Sequence, residues 1–181
     1  MRVTSGSAKG KKLKVPNIPG YRPPRDVYKQ AVFGILGEKV INAICLDLYA
    51  GSGSFGIEAL SRGANYCTFI DNNKSAVETI KENLESTGFS DKADVFQQDS
   101  VKHVANAQKG IDIIFADPFF IDTSHRFLFQ NMEEILNTNG VIVFSHGKEL
   151  NIEETIRNTK LKVFTQRNYG KAYATLLIKE K

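Results

Sequence analysis

The stretch Leu46-Asp47-Leu48-Tyr49-Ala50-Gly51-Ser52-Gly53-Ser54-Phe55-Gly56 decides the fold. Ahead of it, Ala43 to Leu48 is an apolar run that reads as a buried strand. Glycines follow at 51, 53 and 56, and Ile57-Glu58-Ala59-Leu60 opens a helix. A strand that turns through glycines into a helix presents unpaired backbone N–H groups and a positive dipole end. Glycine also lets a ligand come close to the backbone. The stretch therefore reads as a nucleotide-type cofactor turn.

Beyond it, strand and helix alternate. Strands are expected at 43–49, 66–71, 93–97, 111–116 and 140–145, and helices at 54–62, 73–86, 99–107, 126–136 and 151–158. Gly63 and Gly88 stand where helix ends favour glycine. Such alternation implies an α/β fold, a parallel sheet with helices on both faces. The end differs. Leu161 to Arg167 and Ala172 to Lys179 are joined by Asn168-Tyr169-Gly170-Lys171 alone, a connection short enough only for an antiparallel hairpin.

Before the cofactor turn, Arg2 to Gly6 and Lys11 to Val15 flank a short turn and read as a β-hairpin with one cationic face. Pro16-Asn17-Ile18-Pro19-Gly20 is a loop. A helix with Val27, Ala31 and Ile35 on its apolar stripe follows, and Gly37 stops it. The chain reads as one domain over 1–181, with a basic extension at 1–30 and a catalytic core at 38–181.

The 181 residues, 41% hydrophobic and 24% charged, suit a soluble domain with a full core. No apolar stretch is long enough to span a bilayer, and the start lacks a signal-peptide core, so a cytoplasmic protein is expected. Cys45 and Cys67 fall in apolar strands and read as buried thiols, not as a disulfide or metal site. Charge is uneven. Residues 1–30 hold eight basic residues against Asp26 alone, a net of +7, while the remainder has 16 basic and 19 acidic residues, a net of −3. A basic arm on a slightly acidic body points to a polyanion, and Arg2, Lys9, Lys11, Lys12, Lys14 and Arg22 are its candidate RNA contacts.

Gly51-x-Gly53-x-x-Gly56, with Asp71 twenty residues past Gly51, matches the dinucleotide fingerprint. Asp47 argues against a pyrophosphate, which gains nothing from an acid inside the first strand. The cationic S-adenosyl-L-methionine fits better. Asp47 can face its charged methionine part, and the backbone at Gly51 and Gly53 can pass beneath it. Asp71 can accept both ribose hydroxyls, and Asp99, with Ser100 beside it, the adenine amino group. These acids close the first three strands, on the carboxyl edge where open α/β sheets bind ligands.

The fourth strand delivers Asp117-Pro118-Phe119-Phe120 to the same edge. An exocyclic base amine is a poor nucleophile because its lone pair is delocalised into the ring. A carboxylate and a backbone carbonyl that accept its two N–H groups pull the nitrogen toward tetrahedral geometry. Asp117 supplies the carboxylate, Pro118 a restricted turn with no competing N–H, and Phe120 an aromatic face for the base. The base must be unpaired or flipped out, at a cost of a few kcal/mol. His103, His125 and His146 receive no role.

Together, Leu46 to Gly53, Asp117-Pro118-Phe119-Phe120, the Arg22-Pro23 leader and Arg167-Asn168-Tyr169-Gly170 resemble the bacterial small-subunit ribosomal RNA guanine methyltransferases that modify the exocyclic amine. The likeness runs nearly from end to end. It implies a Rossmann-like, seven-stranded methyltransferase fold behind a small basic extension. It further implies cofactor contacts at Asp47, Gly51, Gly53, Asp71 and Asp99, and a target clamp at Asp117, Pro118 and Phe120. The implied substrate is a guanine in a partly assembled small subunit, with the enzyme expected as a monomer and without a metal. Two positions depart from the family pattern: Phe119 stands where a second proline is usual, and Pro24 where the leader usually has threonine. Two other readings stand beside this one, an adenine amino-methyltransferase of DNA or RNA, and a non-enzymatic RNA-binding assembly factor.

Overall fold

The computed structural model describes residues 1–118, 125–170 and 172–181, with His125 described through its backbone only. Helix α1 (Asp26–Leu36) and a short 3-10 turn at Gly37–Val40 precede the alternating part. That part runs β1 (Ile44–Leu48), α2 (Ser54–Ser61), β2 (Tyr66–Asp71), α3 (Lys74–Thr87), β3 (Ala93–Gln97), α4 (Ser100–Asn106) and β4 (Ile111–Ala116). It continues with α5 (His125–Ile135), β5 (Leu136–Gly147), α6 (Ile152–Ile156), β6 (Leu161–Asn168) and β7 (Ala172–Lys179).

Among the described residues the strands form one seven-stranded sheet in the order β3-β2-β1-β4-β5-β7-β6. The first five are parallel, and β7 runs antiparallel to both β5 and β6. The chain builds outward from β1 to β3, then returns to build from β4 on the other side. β1 and β4 are therefore neighbours at the reversal, with Asp47 beside Phe115 and Leu48 beside Ala116. Their carboxyl ends open a crevice there, the usual ligand position in such sheets.

Successive strand residues face opposite layers. Phe69 and Phe115 pack with Phe33, Phe55 and Ile80 on one face, while Ile70 and Ile114 pack with Val104, Phe129 and Met132 on the other. β5 starts earlier than the expected 140, directly after α5, because Leu136 pairs with Ile111 before a register shift brings Val141 beside Ile113.

The N-terminal extension is bound to α2, all eight residues of which are buried. The Glu58 carboxylate accepts Thr4 N–H at 2.8 Å, the Thr4 hydroxyl at 2.7 Å, Ser5 N–H at 3.0 Å and Arg62 Nε at 2.9 Å. Gly6 passes so close that a Cβ there would sit 1.8 Å from the Ser61 carbonyl oxygen. The expected hairpin forms as a short antiparallel pairing, with Arg2 beside Lys12, Val3 N–H donating to the Lys11 carbonyl at 2.9 Å and Leu13 N–H to the Met1 carbonyl at 3.1 Å. Beyond it the amides are taken by the body: Thr4 and Ser5 by Glu58, and Lys14 by Asn83 Oδ1 at 2.8 Å. One expectation is corrected. On α1 the buried stripe is Tyr28, Lys29, Val32, Phe33 and Leu36, and the expected stripe residue Val27 is 70% exposed. A buried lysine shifts the stripe, because Lys29 turns inward to meet Glu58.

Candidate active site

A cavity of about 940 Å³ opens at the carboxyl ends of β1 and β4. Its wall is set strand by strand. β1 brings Asp47 and, through its turn, Tyr49, Ala50 and Gly51; β2 ends in Asp71; the β3–α4 junction brings Asp99 and Ser100; β4 ends in Asp117 and Pro118. The segment Gly20 to Arg25 covers the cavity, and Tyr28, Phe55, Ser145 and Tyr169 close its flank.

The acids also hold the turns that carry them. Asp47 Oδ2 accepts Gly56 N–H at 2.9 Å, which anchors the first turn of α2 to β1. Asp71 accepts Gly51 N–H at 2.8 Å and Asn73 N–H at 2.9 Å. Asp99 caps α4 by accepting Lys102 N–H at 2.9 Å, and the Ser100 hydroxyl accepts Tyr49 N–H at 3.2 Å. Gly51, at φ +56°, faces the covering segment, and a Cβ there would meet the Tyr21 hydroxyl at 2.5 Å.

Gly53 lies between Gly51 and Ser54 of the cavity wall and carries the chain into α2. At φ +72° it forms the left-handed start of α2, and a Cβ there would press on Ile80 and Phe69 at 3.3 Å. Gly56 likewise serves packing: its Cβ would reach Phe69 at 2.3 Å. Phe120, expected to stack on the base, and its neighbour Phe119 lie outside the described residues. The arm cations are exposed, and several contact the body. Arg2 pairs with Asp26 at 3.3 Å, Lys14 pairs with Glu82 at 2.8 Å, and Lys11 donates to the Ser86 carbonyl at 2.7 Å. Arg22 stands apart from them, on the cavity rim.

Comparison with known proteins decides the family. Residues 1–178 match the family model described as Conserved hypothetical protein 95. A candidate rRNA methyltransferase of Bacillus subtilis, YlbH, is 37% identical over 161 residues, 86% of this chain and 88% of that protein. Ribosomal RNA small subunit methyltransferase D of Escherichia coli K12 is 34% identical over 140 residues, 77% of this chain and 68% of that protein. The chain belongs to the small subunit methyltransferase D family. The solved structure of the Escherichia coli protein yhhF, a candidate methyltransferase, superposes with a TM-score of 0.86 at 26% identity, covering 99% of this chain and 98% of that one.

In this family member the cavity concentrates negative charge. Burial pushes the Asp47 carboxyl well above the usual range, against the Gly56 amide, and the charges of Asp117 and Asp71 add to it. Burial raises Asp71 as well, opposed by the Asn73 and Gly51 amides. Asp117 is pushed up to about 6 by burial, against the hydrogen bond from Ser145. Carboxyls whose charged form is disfavoured by burial gain from a cationic ligand.

Three contacts escaped the sequence reading. The Tyr21 hydroxyl donates to Ser52 Oγ and accepts Ser52 N–H, each at 3.1 Å, which fastens the covering segment to the glycine turn. Arg25 donates to the Tyr169 carbonyl at 3.2 Å and fastens the other end to the β6–β7 turn. Tyr28 and Ser145, hydroxyl to hydroxyl at 2.5 Å, stand beside Asp117. Only the position of Tyr21 and Arg25 around the Arg22-Pro23 leader was a signal for any of them.

Proposed function

We propose that this chain transfers a methyl group from S-adenosylmethionine to the exocyclic amine of a guanine in small-subunit ribosomal RNA. The observation that carries the reading is the shared cavity: Asp47, Gly51, Asp71, Asp99 and Asp117 all line it. The residues suit the cofactor by chemistry. The buried acid Asp47 and the half-buried acid Asp71 favour a cation. Asp71 and Asp99 follow successive strands into the same cavity, where the one can accept the ribose hydroxyls and the other the base amine. When bound, the cofactor supplies an electrophilic methyl on a sulfonium. The name of the Escherichia coli relative supports the ribosomal substrate.

The chain's part is orientation. Asp117, mostly ionised at neutral pH with a pKa of about 6, accepts one amine N–H. The backbone at Pro118 accepts the other, and the lone pair turns toward the donor. The amine nitrogen, once alkylated, sheds its extra proton to water or to Asp117. Most of the acceleration comes from holding the reacting atoms in line.

The test is tritiated methyl transfer to purified small-subunit particles, their naked RNA and DNA. Incorporation into particles or their RNA at guanine supports the reading. Incorporation into adenine supports the rival amino-methyltransferase. Absence of S-adenosylmethionine binding by calorimetry supports the assembly factor.

A further inference from the structure

Three side chains from three elements meet beside the cavity: Tyr28 of α1, Ser145 of β5 and Asp117 at the end of β4. Tyr28 and Ser145 are buried, and their hydroxyl oxygens lie 2.5 Å apart. Ser145 follows Phe144, which pairs with Ala116 between β4 and β5, so it stands next to Asp117, and its hydroxyl favours the ionised carboxylate. An ionised carboxylate can only accept, so the Ser145 hydroxyl spends its one proton on Asp117. The Ser145 oxygen is then left to accept, and the Tyr28 hydroxyl donates to it. The chain of donors has one direction, from Tyr28 through Ser145 to Asp117. Each link polarises the next.

The ring of Tyr28 is fixed independently of its hydroxyl. It meets Phe55 edge-on with centroids 5.7 Å apart and Tyr169 at 4.9 Å. The donor is thus preorganised by packing, before any substrate arrives.

We propose that Tyr28 is a positioning residue for Asp117: acting through Ser145, it occupies one side of the carboxylate and leaves the other to accept the target amine. The proposal rests on the reading of Asp117 as the amine acceptor. Other groups facing Asp117 are the Asp47 carboxyl from β1 and the Tyr21 hydroxyl from the covering segment, and Arg22 and Arg25 line the same cavity. Loss of the Tyr28 hydroxyl removes a donor that favours the ionised carboxylate, so the acid form gains.

The experiment uses Tyr28→Phe, which keeps the ring, with Ser145→Ala and the double variant. Carbon-13 NMR follows the Asp117 carboxyl through its titration, with Asp117→Asn as the assignment control. The expected midpoint in Tyr28→Phe lies higher by about 0.5–1 pH unit than in the unmodified protein. Ser145→Ala moves it at least as far, and the double variant moves it no further than Ser145→Ala alone. The acid limb of kcat for particle methylation rises in step, kcat at its plateau falls about tenfold, and KM for S-adenosylmethionine stays within about twofold. An unmoved midpoint in Tyr28→Phe, or additive shifts in the double variant, overturns the proposal. If the unmodified protein methylates no particle, the functional reading fails, and the titration still decides the hydrogen-bonded chain.

Discussion

Lys29 Nζ lies 3.4 Å from Glu58 Oε2, and neither side chain has any exposure to solvent. Lys29 also donates to the Arg2 carbonyl at 2.7 Å. One buried pair thus joins α1, α2 and the N-terminal arm. Burial pulls the Lys29 pKa down, and the Glu58 charge opposes the change. Removal of Lys29 leaves Glu58 one charged partner, Arg62 at 2.9 Å. Lys29→Met is therefore expected to cost about 1–3 kcal/mol in urea denaturation. Glu58→Ala is expected to cost at least as much, because Thr4, Ser5 and Arg62 lose their acceptor with it. A loss under about 1 kcal/mol for either would mean that the pair does not hold the arm.

Two glycines of similar helical setting should respond in opposite directions. In Gly56→Ala the new Cβ would fall 2.3 Å from Phe69 and 2.6 Å from the Cys67 sulfur, both in the fully buried core. Overpacking of that kind is expected to cost about 1–3 kcal/mol or more. In Gly34→Ala, inside α1, no heavy atom lies within 4 Å of the new Cβ. That change should stabilise by about 0.5–1 kcal/mol. Thermal melts of the two variants check the contrast.

The turn from β1 into α2, the acids at the ends of the strands and the antiparallel tail were legible in sequence because each is local. An apolar run, a glycine spacing or a four-residue connection has few folded solutions. The acids Asp47, Asp71, Asp99 and Asp117 could be brought to one edge because parallel strands all end on the same side. What stayed hidden depends on partners far along the chain. Lys29 looked like one more cation of the arm, yet its partner is 29 residues away on α2. Tyr28 stands in no motif, and its partner Ser145 is 117 residues away. The expected hairpin is short for the same reason, since acceptors on α2 and α3 hold the amides beyond it. The close approach of Phe69 and Ile80 to Gly53 was hidden in the same way.

The raised carboxyls make stability fall with rising pH. Asp117 has a folded pKa of about 6 against an ordinary value of 3.8, so the folded state binds more protons than the unfolded state between those values. Stability contributed by this group is highest near pH 4 and is lost as pH rises through about 6. Asp47 and Asp71, also raised, push the same way. The melting temperature of the ligand-free protein is expected to drop over this window, and Asp117→Asn should flatten the drop. A melting temperature that climbs from about pH 4 to about pH 7 with these acids as its source would contradict the picture.

The arm offers cations in a fixed arrangement instead of on a loose tail. If it binds RNA backbone, Lys9→Glu with Lys12→Glu should weaken binding to small-subunit RNA. It should also flatten the log–log salt dependence by about 0.7–0.9 for each phosphate no longer neutralised. Filter binding across a salt series reads both. An unchanged affinity and slope would reduce the arm to a packing element over α2.

The central claim, that Asp117 presents a guanine amine to a methyl donor in the cavity it shares with Asp47 and Asp71, has one direct measurement. Ribosomal RNA from cells lacking this gene, resupplied with the native chain or with Asp117→Ala, is digested to nucleosides and weighed by mass spectrometry. The account predicts one methylguanine, carried on the exocyclic nitrogen, that the native chain restores and Asp117→Ala restores at a rate about a hundredfold lower or less. Full restoration by Asp117→Ala, or no change in any methylated guanine when the gene is removed, would contradict it.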